Sequence, residues 1–431
     1  MKRIYLFLAA VAAVLAVGVG SSGVTAQAPG PSAGTKLTGD LISPRGMKVG
    51  PDGMLYVAEA GSGGTTAVGT GDNASMSGNT GRISKIDPAT GTRTTVAGNL
   101  PSNAGAEGDA VGPADVAFIG NQLYYVQTHG GTAYGFPNNP TGVYKVNSNG
   151  TVTLVADIGK FNIANPVNDV SSGTQQDIEP GGNPYSMTVR DGAFLVVDGN
   201  QNQVMKITTA GAITRLAEFP GHPVTTGITY AAGGPLYVAA LGQFPFAPSD
   251  GIVYQVGYPS GSVTKVASGV SSLTDVEFSP AGQLYALNFA DQAPDLSQGP
   301  WIPFTGKLMK LDVSTGTFTP LVTGFTATTN FIFIGDTAYV SNNGVPFIAP
   351  GEIWKIANVS TLAPLAVSPT PAPTTAAPAP TATPPSGVIA APNTGTGAVS
   401  NDADSRVWLP VLVLAAVGIA AMGGAVVTKR R

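Results

Sequence analysis

Cysteine is missing from all 431 residues, which excludes disulfides, thiolate metal sites and cysteine nucleophiles together. Histidine is almost missing: His129 and His222 are the only two, each in a glycine-containing turn with no paired nucleophile in sequence. Such loop histidines are expected to be structural, with a general base as the alternative. Charge is scarce as well, at 11% of residues and a net of −4. With no basic cluster in the body of the chain, nothing points to a nucleic-acid surface. What is plentiful is glycine, 57 residues of it, so turns are many and the surface is dominated by small polar residues.

Between those turns one pattern returns six times: apolar, variable, Lys or Gln, apolar. The copies are Ile83–Ile86, Val143–Val146, Val204–Ile207, Val253–Val256, Leu308–Leu311 and Ile353–Ile356. Each copy follows a Leu-Tyr-Val-like segment such as Leu55-Tyr56-Val57 or Leu236-Tyr237-Val238, which itself follows an opening segment such as Met47-Lys48-Val49. A fourth segment of the form Thr-x-apolar-small closes the unit, as in Thr94–Ala97 and Thr264–Ala267. Short runs of Val, Ile, Tyr and Thr between Gly, Pro, Asn and Asp clusters read as strands, and four strands per repeat make a propeller blade. The fold class is therefore all-β, a six-bladed β-propeller spanning residues 34–360 as one domain and expected to be a monomeric ring. After Ile356 no fourth segment follows, whereas Thr35-Lys36-Leu37-Thr38 matches one and precedes the first unit. The N-terminal strand is thus expected to complete the last blade and close the ring, leaving no exposed sheet edge. An open stack of sheets is the alternative.

The ends of the chain speak to location. Residues 1–26 have the charged start, apolar stretch and small-residue finish of a signal peptide, with cleavage expected between Ala26 and Gln27 and an uncleaved anchor as the alternative. Residues 361–392 form a Pro/Thr/Ala-rich linker, a semi-rigid spacer. Residues 407–427 are apolar for long enough to be a transmembrane helix, and the basic tail 428–431 is expected to face the cytoplasm. About a dozen residues before the helix, Ala391-Pro392-Asn393-Thr394-Gly395 resembles a sortase sorting signal, which implies cleavage between Thr394 and Gly395 and attachment to the cell envelope. Alanine stands where that motif usually has leucine, so membrane retention is the other reading. Both place the ring on a stalk at the extracellular face.

The body also resembles a family. Ser43-Pro44-Arg45-Gly46, Gly50-Pro51-Asp52-Gly53-Met54-Leu55-Tyr56-Val57, Gly112-Pro113-Ala114-Asp115 and Glu179-Pro180-Gly181-Gly182-Asn183-Pro184-Tyr185 are similar to segments of the ScyD/ScyE proteins, secreted NHL-like propellers. That resemblance implies a secreted propeller and carries no catalytic residues.

Two rings of residues could bear chemistry. Aligned second strands bring Glu59, Thr128, Asp198, Ala240, Asn288 and Asn342 to one position, and aligned first strands bring Gly46, Asp115, Ser186, Gly227, Asp275 and Phe331 to another. Glu59, Asp198, Asn288 and Asn342 are the oxygen-donor types that hard cations take, and six-bladed lactonases of the gluconolactonase type hold calcium with one Glu, two Asn and one Asp. Ca²⁺ is accordingly the candidate cofactor, although Asp and Asn at strand ends also bond turn backbone without any metal. The recurring Lys85, Lys145, Lys206, Lys310 and Lys355 are expected to lay their stems over apolar strand surface. Gly69-Thr70-Gly71-Asp72-Asn73 lacks the Lys-Ser/Thr and helix of a phosphate loop. Phe136, Phe161, Tyr185, Phe244 and Phe246 lie in or beside insertions, where they either bind a ligand or pack the loops onto the ring. The functional expectation is an extracellular binding or interaction module, with a calcium-dependent lactonase or esterase-like hydrolase as the alternative.

Overall fold

In a computed structural model the described residues are 30–366, apart from 70–73, 106–108, 169–180, 244–245, 293–300 and 346–349. The expected signal peptide, sorting motif and transmembrane segment lie outside them, as does the linker beyond residue 366. Among the described residues no helix is long and apolar enough to cross a membrane.

The repeats fold into six antiparallel sheets, each with the chain order of a propeller blade. Every tetrad lies on a third strand: Ser75–Ile86, Gly142–Val146, Gln203–Thr208, Gly251–Val256, Gly306–Asp312 and Gly351–Ile356. Four of their lysines, Lys85, Lys145, Lys310 and Lys355, lie opposite a tyrosine of the second strand, whereas Lys206 lies opposite Leu195. Tyr56 pairs with Lys85 and Tyr339 with Lys355, and each ammonium stands 5.8 or 5.9 Å from its ring centroid. In these two blades a cross-strand cation–π contact adds to stem burial at the repeated basic position.

Blade six is built from Asn330–Ile334, Thr337–Asn342, Gly351–Ile356 and, as expected, the N-terminal strand Thr35–Leu41. Six apolar clusters follow, one in each gap between neighbouring blades. Leu41, Met47, Leu55, Ile332 and Ile353 fill the last gap, so the ring closes on itself. Blade one carries the glycine-rich insertion as additional β-structure, in which Thr66–Val68 pairs with the lengthened third strand. Ser77 Oγ on that strand donates to Tyr134 O of blade two at 2.8 Å, fastening the insertion to its neighbour.

The first strands meet around the axis and tie blade to blade. Asp115 Oδ2 of blade two accepts from the Met187 amide of blade three at 2.9 Å. Ser186 Oγ of blade three donates to Thr226 O of blade four at 2.6 Å. Asp275 Oδ2 of blade five accepts from Phe331 N and Asn330 Nδ2 of blade six, at 3.0 and 2.6 Å. Asn330 Oδ1 accepts from Met47 N of blade one at 3.0 Å. The register corrects the expected first-strand ring in one place. Phe331 pairs with Val340 as Met47 pairs with Val57, so the residue equivalent to Gly46, Asp115 and Asp275 is Asn330. Glycine occupies this position in blades one and four because the next blade presents an aspartate there: a Cβ on Gly46 would overlap the Asp115 carboxylate, and one on Gly227 would overlap that of Asp275 and approach its Cα to 2.6 Å.

Gly227→Ala must therefore move backbone, whereas Gly46→Ala meets only a side chain. The expected loss for Gly227→Ala is about 1–3 kcal/mol in urea unfolding, with a smaller loss for Gly46→Ala; equal midpoints for the two variants would contradict this packing.

Candidate functional site

The same first strands end at a cavity of about 230 Å³ in the mouth of the ring. All six blades contribute: Arg45 from blade one, Thr128 from two, Tyr185 from three, Leu241 and Phe246 from four, Phe289 and Trp301 from five, Val345 from six. Most of the wall is apolar. Trp301 lies 4.9 Å from Phe289 and 6.0 Å from Phe246 between ring centroids, and its indole Nε1 donates to Ser272 Oγ at 3.3 Å. The polar groups are few. Arg45 Nη2 donates to Ala110 O, and the Tyr185 hydroxyl donates to Thr329 O at 3.0 Å across the axis. Burial pulls the Arg45 guanidinium below its ordinary pKa, against the opposing pull of Tyr185 and Asp109, and pushes the Tyr185 phenol up.

Below the mouth the channel holds Lys48 among Asp115, Asp275 and Glu277. Lys48 Nζ stands 3.8 Å from Asp115 Oδ2. Burial opposes the charge of Lys48, but attraction from Asp115, Glu277 and Asp275 outweighs it and raises the ammonium pKa. Burial likewise raises Asp115 and Glu277, and Asp275 well above the carboxylate range, with Lys48 pulling each of them back. Lys48 and Glu277 escaped the sequence reading, although each lies two residues beyond a position in the first-strand ring.

The four residues expected to hold calcium do not fit a cation site, because other groups engage each of them. Glu59 is buried and grips Arg82 through both oxygens, at 2.8 and 2.6 Å, and also accepts from Ser84 Oγ and from the Ile42 amide. Asp198 accepts from the amides of Asn183, Asn200 and Gln201 and from Asn162 Nδ2. Asn288 Oδ1 accepts from Lys307 N at 2.6 Å, and Asn342 Oδ1 from Thr326 N at 2.8 Å. Among the described residues no group of three His, Asp or Glu could hold a metal. These side chains instead fasten the loops that shape the mouth. Asp198 holds Asn183, whose Oδ1 accepts from Thr128 Oγ1 at 2.7 Å, and so sets the Pro184–Tyr185 segment. The register also moves the blade-two member of this ring: Gln127 lies opposite Gly142 as Glu59 lies opposite Arg82, so Gln127 replaces Thr128. Its buried Oε1 has no hydrogen-bond partner.

The other candidates divide. Tyr185 and Phe246 line the cavity. Phe136 is buried within its own turn, and Phe161 packs against the core between blades two and three, under Arg215. Phe244 lies outside the described residues. His129 is buried and stacked on Tyr134 at 4.2 Å, and His222 Nδ1 is 3.1 Å from Asn202 Nδ2; neither lines the cavity.

No family model matches the chain, and no curated protein matches it. Similar solved structures include the PQQ-bound aldose sugar dehydrogenase of Streptomyces coelicolor, 13% identical over 77% of this chain and 99% of that one, TM-score 0.48. A virginiamycin B lyase of Staphylococcus aureus is 12% identical over 75% and 98% of the two chains, TM-score 0.43. A gluconolactonase of Xanthomonas campestris is 13% identical over 75% and 98%, TM-score 0.41.

A carboxyl whose folded pKa lies above its unfolded value contributes stability that is complete below the unfolded pKa and is lost as the pH rises through the folded one. Asp115, Asp198, Asp275 and Glu277 are all raised from unfolded values of 3.8 or 4.5, and Lys48, raised from 10.5, stays charged throughout that window. The ring is therefore expected to melt at higher temperature near about pH 5 than near about pH 8, and Asp275→Asn is expected to flatten that slope in thermal unfolding; a melting temperature that climbs with pH in the parent chain would contradict it.

Proposed function

We propose that this chain is a binding module of the ScyD/ScyE type, exported, displayed on a stalk at the cell surface, and holding its ligand in the mouth of the ring. The observation that carries the reading is the cavity itself. Its wall is mostly apolar and draws on all six blades, with Arg45, Asp109 and Tyr185 among its polar groups, which is the usual form of a small-molecule site. Because the lining residues stand on first strands and on loops fastened by Asp198, Asn288 and Asn342, the site is formed before any ligand arrives. Preorganisation of that kind favours binding by reducing the ordering that association requires. The calcium-dependent hydrolase draws no such support, since Glu59 holds Arg82 and the two histidines are committed elsewhere.

Export by residues 1–26 and anchoring through residues 407–427, or through the Thr394 carboxylate after cleavage, belong to the same proposal. Mass spectrometry of the native C-terminus distinguishes the two anchors: an end at Thr394 is expected for wall attachment, and a retained Arg431 contradicts it.

The cavity is tested with a panel of small apolar molecules in thermal unfolding of the full chain. Some members are expected to raise the melting temperature of the parent, and Leu241→Trp, which fills the mouth from its rim, is expected to abolish those shifts while leaving the unliganded melting temperature unchanged. Shifts that persist in Leu241→Trp would place the ligand elsewhere.

A further inference from the structure

Among the five arginines of the described residues, four have their guanidinium matched. Arg82 and Arg93 lie against Glu59, Arg215 against Glu218, and Arg190 stacks on Tyr230 and Tyr258. Arg45 is the exception: among the described residues no carboxylate oxygen stands within 4 Å of its nitrogens, and the one bond given by Nη2 goes to a backbone carbonyl. A guanidinium in so apolar a setting calls for an anion. Its planar fork matches a carboxylate with two parallel hydrogen bonds.

Across the ring from blade one, blades four and five bring Phe246, Phe289 and Trp301 to the same cavity. With the Trp301 N–H engaged by Ser272, this side offers ring faces and edges rather than donors. The volume sets the scale. An apolar cavity of about 150 Å³ accepts benzene, so 230 Å³ has room for one ring bearing a short acid substituent.

Resting on the binding reading above, we infer that the ligand of the mouth is a small monocarboxylate with an apolar or single-ring body, its acid on the Arg45 fork and its body against Phe246, Phe289 and Trp301. The other charges near the mouth agree with one anion held at the level of Arg45. Asp109 lines the same cavity and attracts Arg45 from beyond ion-pair distance, so it weakens the site for an anion without occupying the fork. Deeper in the channel, Lys48 is already matched by Asp115, Asp275 and Glu277, so it is not open to the acid.

The test uses the full chain with phenylacetate, its neutral counterpart phenylacetamide and its cationic counterpart phenethylamine, followed by calorimetry and tryptophan fluorescence. Phenylacetate is expected to bind at least about tenfold more tightly than the amide, and phenethylamine more weakly still. Arg45→Gln is expected to erase the preference for acid over amide, Arg45→Lys to retain part of it, and Asp109→Asn to tighten phenylacetate binding. The preference in the parent chain needs no variant, so it stands as a test even if Arg45→Gln fails to fold. Equal affinities for acid and amide, both lost in Leu241→Trp, would overturn the carboxylate assignment while leaving the mouth as a binding site. Absence of binding by all three and by the apolar panel would overturn both.

Discussion

Everything in this molecule hangs on a belt of polar contacts where the six first strands meet. Propeller blades bury apolar faces against one another, but apolar packing is non-directional and does not by itself fix the height or rotation of one blade against the next. The contacts from Asp115 to Met187, from Ser186 to Thr226, from Asp275 to Phe331 and from Asn330 to Met47 do so, because each joins a side chain of one blade to the backbone of its neighbour. Buried carboxylates carry a desolvation cost, and here amide donors and Lys48 offset it in part. Glycine at 46 and 227 is the complement of this arrangement, since only an absent side chain lets the following aspartate approach.

The belt also explains why the mouth takes the form it does. Arg45, Tyr185 and Thr274 precede belt residues Gly46, Ser186 and Asp275 in sequence, so the contacts that align the blades also aim these residues into the cavity. A second tier of bonds, at the ends of the second strands, holds the loops above. Glu59 is the member that reaches furthest. By accepting from the Ile42 amide just after the N-terminal strand, it links ring closure to blade one, while its ion pair with Arg82 ties the second strand of that blade to the third.

Much of the architecture was legible because it repeats. The tetrads marked third strands in all six blades, and the missing fourth segment after Ile356, with its counterpart at Thr35–Thr38, revealed the closure. Single-residue positions were less legible. Thr128 and Phe331 were each placed one residue away from their true equivalents Gln127 and Asn330; in blade two the consecutive Tyr124 and Tyr125 let the Leu-Tyr-Val-like segment be matched one residue late, and the pairing register corrects both. The engagement of the calcium candidates was hidden for a related reason. Residue type identifies Glu59, Asp198, Asn288 and Asn342 as oxygen donors, yet their partners Arg82, Asn183, Lys307 and Thr326 lie up to 23 residues away, and sequence gives no sign that the oxygens are already engaged. Arg45 was visible only as part of a motif, since the lack of a carboxylate within 4 Å of it among the described residues is a property of three dimensions.

Native-state hydrogen exchange, read amide by amide, bears most directly on the belt. The amides of Met47, Met187 and Phe331 are expected to exchange only through global unfolding, at the highest protection in the chain, while outer-strand amides such as those of Lys265 and Thr319 exchange through smaller openings. Exchange of the three belt amides at or above the rate of the outer strands would mean that the blades are aligned by something other than these contacts.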